Sequence, residues 1–280
     1  MATITAKDVQ ELRAATDASM MDCKNALVEA GGDQNKAIEI LQRKYRGKMG
    51  TTTERQTGEG RIAVYLNDAR KVGGMIELRC ETAPVAKNEV FVALANKMAR
   101  AVADHTEAAP TPEAILEMKC ADGRMLADQL VEVYGKLREQ MKLVRCRRIT
   151  GEYLASYVHH DGKSGVVVAL DRRPASEAVA VDLCQHALFT KPLAIDRAGV
   201  PAAEVDRVRK TARDVATEEK KPPQIIEKIV EGKVNAFLTE KALMEQEHVK
   251  PDYESQRVKD VLKAAGVNAV TDLVIMKVGG

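Results

Sequence analysis

The sequence predicts an α+β protein: a small three-helix bundle, a linker, and a two-part α+β core with an antiparallel helical hairpin inserted in its second part. Three observations carry this. Short amphipathic segments with capping residues fill residues 1 to about 47. A strand–turn–strand–helix pattern occurs twice, at 61–104 and at 153–189, as two related halves would show it. Two longer segments with apolar spacings of three and four, separated by a double proline, occupy 201–245. The expected division is a bundle at 1–50, a linker at 51–60, a first core part at 61–150 and a second at 151–280, with the hairpin at about 201–243.

In the bundle, Thr5 can cap the first helix with Asp8 at its third position, and Val9 and Leu12 face inward. Ser19 and Asp22 repeat that arrangement for the second helix, whose apolar stripe is Cys23, Ala26, Leu27 and Ala30. Gly31-Gly32 ends it. Asp33 caps the third, with Ala37, Ile40, Leu41 and the Lys44-Tyr45 pair on its inner face. A bundle this small has a marginal core. It has the size of a recognition module. Residues 51–60, T-T-T-E-R-Q-T-G-E-G, contain no apolar side chain and read as a flexible linker.

The first core part opens with a strand at Ile62–Leu66, a turn from Asn67-Asp68 to Gly73-Gly74, and a strand at Met75–Cys80. Ile76, Leu78 and Cys80 alternate with Glu77, Arg79 and Glu81, the period of a half-buried strand. From Val85 the spacing becomes helical, with Val85, Val92, Ala95 and Met98 on or near one face. Thr82 or Ala83 suits the N-cap, and Pro84 suits the first helical position because its missing N–H has no partner to lose there. The junction is a stiff, nearly uncharged tip. Taken alone, a plain connection is its simpler meaning.

Arg124–Leu143 reads as an amphipathic helix. The second core part repeats the pattern with strands at Tyr153–Val158 and Gly165–Leu170 around His159-His160-Asp161-Gly162, then a helix at Ala175–Phe189. Val205, Val208, Ala212 and Val215 make one hairpin stripe, and Ile226, Val230, Val234 and Phe237 the other. Pro222-Pro223 forces the break between them. The outer faces are charged, so the hairpin should project from the body; self-association of the chain is a further expectation. A helix near Ser255–Ala264 and a strand at Val270–Val278 close the chain.

Composition narrows the function. The chain has 280 residues, a net charge of +2 and 3% aromatic residues, with no Trp. That argues against a base-stacking platform and against nucleic acid as partner. The five cysteines are scattered, with no C-x-x-C pair. They suit a reducing, cytoplasmic setting and neither a disulfide framework nor a zinc site. No apolar run approaches membrane-spanning length and no secretory h-region is visible.

Chemistry is equally sparse. The five histidines, His105, His159, His160, His186 and His248, have no metal-site spacing. Gly162-Lys163-Ser164 resembles the end of a phosphate loop, but that loop needs a glycine where Tyr157 stands. Cys184 with His159 or His186 could form a nucleophile–base pair. A turn histidine and a helix histidine without catalytic duty are the plainer interpretation. With no catalytic residues, cofactor or metal expected, the chain reads as a non-enzyme built to grip another macromolecule.

The string T-D-A-S-M-M-D-C-K-N-A-L-V-E-A at 16–30 resembles bacterial elongation factor Ts, and the likeness continues through G-G-D-Q-N-K-A-I-E-I-L. It returns in S-Y-V-H at 156–159, H-A-L-F-T-K-P at 186–192 and P-Q-I-I-E-K-I-V-E-G-K-V-N-A-F at 223–237. The resemblance implies that the bundle is ubiquitin-associated-like. It also implies a nucleotide-exchange factor that binds the GTPase elongation factor Tu and releases its GDP. It points to Leu12, Met20, Met21, Lys24, His159 and His186 as partner-binding residues, with structural support the alternative for the two histidines, and to Thr82, Ala83, Pro84 and Val85 as the exchange wedge that disturbs the partner's magnesium region. Buried bundle core is the competing expectation for Met20 and Met21. The family wedge is Thr-Asp-Phe-Val-Ala, so Ala83 and Pro84 depart from it. Loss of a Phe-sized contact should cost roughly 1.5–3 kcal/mol. A homologue that binds without exchange, and an adaptor using the bundle for unrelated peptides, are the alternatives.

Overall fold

A computed structural model describes residues 4–51, 57–120 and 122–280. Residues 52–56 of the expected linker therefore lie outside the described residues. The bundle consists of α1 (Ala6–Thr16), α2 (Met20–Glu29) and α3 (Gln34–Thr51). Thr5 and Asp8 form the expected reciprocal capping box. At α2 only half of it forms: Ser19 Oγ accepts the Asp22 N–H at 3.1 Å, while the Asp22 carboxylate turns elsewhere. α3 runs through Thr51, into the stretch expected to be linker.

The first sheet contains β1 (Glu59–Leu66) and β2 (Val72–Cys80). Gly73 and Gly74 belong to β2 and not, as expected, to the turn. The reason is close packing: a Cβ on Gly74 would sit 2.1 Å from the Ala99 carbonyl oxygen of the covering helix. After β2 the single helix expected from Val85 is in fact two. α4 (Ala83–Ala86) is one turn, and α5 (Glu89–Asp104) starts afresh behind Asn88, whose side chain accepts the Val90 N–H. α6 (Pro112–Leu116) and α7 (Leu126–Leu137) follow.

The helix expected over Arg124–Leu143 ends early, because Lys142–Thr150 is β3. Its sequence, K-L-V-R-C-R-R-I-T, hides a strand behind basic residues. Their stems lie along the sheet while their heads find partners: Arg145 reaches Glu77 and the Lys277 carbonyl, and Arg148 the Ala103 carbonyl. A register shift at Glu77/Leu78 further blurs the alternation. The sheet is antiparallel in the order β1-β2-β3, which makes β2 central.

The second sheet is antiparallel in the order β4 (Tyr153–Val158), β5 (Ser164–Leu170) and, last in the chain, β6 (Val270–Lys277). α8 (Glu177–Thr190) covers its outer face. Ile62, Met75 and Ile149 of the first sheet pack against Leu154, Val167 and Ala169 of the second. The core is therefore a stack of helix, sheet, sheet and helix. Ile76, Leu78 and Cys80 face α5, and Met75 faces the other sheet. β2 is accordingly buried on both faces, where its alternation predicted one. Glu77 is 0% exposed. It accepts hydrogen bonds from Arg79 and Arg145, each at 2.6 Å, and from the Gly279 N–H at 2.9 Å. Burial alone would raise its carboxyl, but these donors hold it below the ordinary carboxylate range.

α9 (Ala202–Glu218) and α10 (Pro223–Lys241) form the hairpin, and α11 (Val258–Ala264) precedes β6. Only Ala216 and Val230 are buried along the hairpin. The pair packs on itself and rejoins the core at Leu243, which is fully buried under α8.

The bundle is not an isolated module. Leu12, Leu41 and Tyr45 share one apolar cluster with Leu130, Val131 and Tyr134 of α7. A Cβ on Gly135 would lie 2.7 Å from the Tyr45 ring, so α7 has a glycine where that ring rests. The core that looked marginal in sequence is completed by α7.

Candidate partner interface

α2 is two-faced. Cys23, Ala26 and Leu27 point into the bundle, and Met20, Met21, Lys24 and Val28 point out. Met20 is 41% exposed and Met21 64%, which decides against bundle core for both. Two adjacent flexible thioethers beside a lysine make an adaptable contact surface with a positive rim. Leu12 is different. It is 0% exposed, so it packs beneath this face and offers no surface for the direct contact expected of it.

The polar side of α2 is held by one residue. Asp22 accepts hydrogen bonds from Lys44 Nζ at 2.6 Å, Tyr45 Oη at 3.1 Å and Arg138 Nη2 at 2.7 Å. Burial would raise the Asp22 carboxyl, but Lys44, Arg138, Ser19 and Tyr45 outweigh it and hold it well below the ordinary carboxylate range. The Arg138 guanidinium also donates to Tyr45 Oη at 2.8 Å and lies 4.6 Å from that ring's centre. Burial pushes the Tyr45 hydroxyl up to about 12.

The tip begins where β2 ends. Cys80 is fully buried, its thiol donates to the Thr82 carbonyl at 3.3 Å, and burial pushes the thiol up to about 12. Thr82 is the N-cap of α4, but its side chain accepts no hydrogen bond from the helix. Instead it donates its N–H at 3.0 Å and its hydroxyl at 2.6 Å to the two carboxylate oxygens of Glu139. Glu81 in turn accepts the Gln140 N–H at 2.8 Å. Thr82 and Pro84 are exposed, Ala83 and Val85 are partly exposed, and Ala86 is buried as the anchor. The tip is thus rigid at its base and apolar at its end.

The turn that carries His159 lies at the same end of the stacked sheets. Ile62 donates its N–H to the Gly162 carbonyl at 2.8 Å, and Lys163 pairs with Glu59 at 2.7 Å. Glu59 stands opposite Cys80 in the β1–β2 register, two residues before Thr82. His159 is partly exposed, lies 3.3 Å from Tyr157 Oη through Nδ1 and meets the His160 ring at a tilt, with centres 4.2 Å apart.

His186 does not join this group. It is 0% exposed, which speaks against the expected partner contact and for the other expectation, structural support. Its Nδ1 accepts the Val249 N–H at 3.2 Å, so Nε2 carries the proton and donates to Gln246 Oε1 at 2.8 Å. Burial holds it below the ordinary histidine range. Cys184 is also fully buried, and burial pushes its thiol up to about 12. The thiol is buried and weakly acidic, and both ring nitrogens of His186 are engaged by Gln246 and Val249, which argues against a Cys184–His186 nucleophile–base pair.

Sequence reasoning missed Glu139 and Gln140, hidden inside a segment expected to be helix. It also missed Phe189, which is 77% exposed one turn beyond His186. Helical period gave no signal for it, because a position three residues beyond His186 falls near the same face. Among the described residues no group of three or more His, Cys, Asp or Glu is placed to hold a metal ion, and no helix is long and apolar enough to cross a membrane.

A sequence model of the family described as Elongation factor TS matches residues 81–280. Elongation factor Ts of Azoarcus sp. (strain BH72) is 40% identical over 280 residues, covering 100% of this chain and 92% of its own. That of Bordetella petrii is 41% identical over 278 residues, covering 98% and 92%. That of Aquifex aeolicus is 38% identical over 274 residues, covering 95% and 94%.

Proposed function

The chain belongs to the elongation factor Ts family, and from that premise we propose that it is a guanine-nucleotide exchange factor that binds elongation factor Tu in its GDP form and promotes GDP release. It works by binding and not by chemical catalysis, and it acts in the cytoplasm. A factor that binds the nucleotide-free GTPase more tightly than the GDP form weakens GDP by the same coupling factor. That requires a broad grip and a local intrusion at the nucleotide site, and no acid, base or nucleophile.

The observation that carries the proposal is the pairing of an exposed methionine face on α2 with a braced, outward tip at Thr82–Val85. Met20, Met21 and Lys24 supply the grip and the tip supplies the intrusion. His159 adds a contact from the turn beside the tip. His186 ties α8 to Gln246 and Val249 on the outer side of the second sheet, and Phe189 offers a further apolar contact.

The intrusion is weakened at its edge. Ala83 has no carboxylate and Pro84 no ring, so exchange through the tip alone should be roughly tenfold slower than with the full family motif. The α2 face carries correspondingly more of the grip. The test is release of labelled GDP from the cognate elongation factor Tu. Catalytic amounts of this chain should accelerate it. Binding without acceleration would sink the exchange claim and leave a binding-only relative.

A further inference from the structure

Three consecutive residues connect the two elements that the proposed function needs. Arg138 closes α7 in the left-handed conformation, with φ of 60°, which turns the chain sharply between the bundle and the tip. Its guanidinium grips Asp22 and Tyr45 of the bundle. Glu139 takes both donors of Thr82. Gln140, nearly buried, donates its N–H to Glu81 and its side-chain amide to the Lys48 carbonyl of α3 at 3.4 Å. Asp22 lies on the same helix as Met20, Met21 and Lys24, and Glu81 and Thr82 are the base of the tip.

We propose that Arg138-Glu139-Gln140 is a positioning element that sets the exchange tip against the α2 contact face. The proposal rests on the exchange reading above and names residues that act through Thr82 and Asp22, without touching the partner themselves. Thr82 is an N-cap whose orienting bonds come from a residue 57 positions away. Without Glu139 the tip keeps its sequence but loses the two bonds that aim it. Without Arg138 the Asp22 carboxylate loses its link to the core while the tip keeps its own. The two residues should therefore fail in different ways.

The test uses the full-length protein in GDP release from the cognate GTPase, read as maximal rate and half-saturating concentration. Two hydrogen bonds to a partly exposed carboxylate set the expected size. Glu139→Ala should lower the maximal rate roughly fivefold to tenfold and leave half-saturation within about twofold. Arg138→Ala should act mainly on half-saturation, raising it roughly threefold to tenfold. Glu139→Gln, which keeps one acceptor oxygen, should recover part of the lost rate. Amide hydrogen exchange gives an independent reading: Glu139→Ala should speed exchange at Thr82 and leave β2 and α5 protected. The proposal is overturned if both alanine variants move both kinetic parameters alike, or if Thr82 exchange is unchanged in Glu139→Ala. A wild-type chain that binds the GTPase without releasing GDP would overturn the exchange reading alone. The positioning element would then stand or fall on the amide exchange at Thr82.

Discussion

Leu12 and Met21 show how two apolar residues of the same bundle part company. Both suit a helical apolar face, yet Leu12 is 0% exposed and Met21 is 64% exposed. Leu12→Ala should cost about 2–5 kcal/mol of stability, because it empties a packed site shared with α7. Met21→Ala should change stability by less than about 0.5 kcal/mol. It should raise the half-saturating concentration for the GTPase, and by more than Thr82→Ala does. Urea unfolding and titration with the GTPase separate the two effects, and the reverse ranking of Met21 and Thr82 would contradict the weight given to the α2 face. Glu77 makes the same point for charge. Its alternation with Ile76 and Leu78 implied a solvent face, but a second sheet covers that face. The carboxylate is tolerable there because two guanidinium groups and a backbone N–H meet it.

At the scale of elements, the tip and the α8 support invite separate experiments. On the exchange reading proposed above, the tip keeps its braced base and lacks only the family's edge, so supplying that edge should speed exchange. Ala83→Asp with Pro84→Phe should raise the maximal GDP-release rate roughly tenfold. An unchanged rate would mean that the partner no longer receives a ring at this place. Behind α8, His186 and His248 stack with ring centres 4.9 Å apart. Burial lowers both, and His248 also feels His186, falling to about 4. Asp182, which accepts hydrogen bonds from Lys250 and Tyr253, faces the same cluster, and its carboxyl is held low, so it stays charged over the relevant range. The unfolded chain takes up protons on these histidines near pH 6.5, whereas the folded chain delays at His248 to about pH 4. More protons are bound in the unfolded state across that window, so stability should fall as pH drops through it. Urea midpoints measured from about pH 7 to about pH 5 should decline, and His248→Phe should flatten the decline. An equal decline in the variant would refute the assignment.

For the whole molecule, the order of elements was legible and their stacking was not. Capping residues, the Asp-Gly turn and the double proline are local, and they located the bundle, the second strand pair and the hairpin. β3 escaped because its arginines answer to partners on β2, β6 and α5 and not to a period of their own. The two sheets bury one another's inner faces, which converts apparently half-exposed strands into core. The candidate interface divides the same way. Met20, Met21, Lys24 and the Thr82–Val85 tip were readable as motifs, since a short string carries them. Glu139 and Arg138 were not, because their partners lie 57 and 116 residues away.

By itself, then, the sequence determined the α+β class, the family and the location of the tip, all of which depend on neighbours within a few positions or on strings compared in order. Only the tertiary structure decided which of the marked residues meet solvent. It buried Leu12 and His186, exposed Met20 and Met21, and tied the tip to the bundle through Arg138-Glu139-Gln140. Burial and long-range hydrogen bonding depend on what packs against a residue from elsewhere in the chain, and no local pattern encodes that.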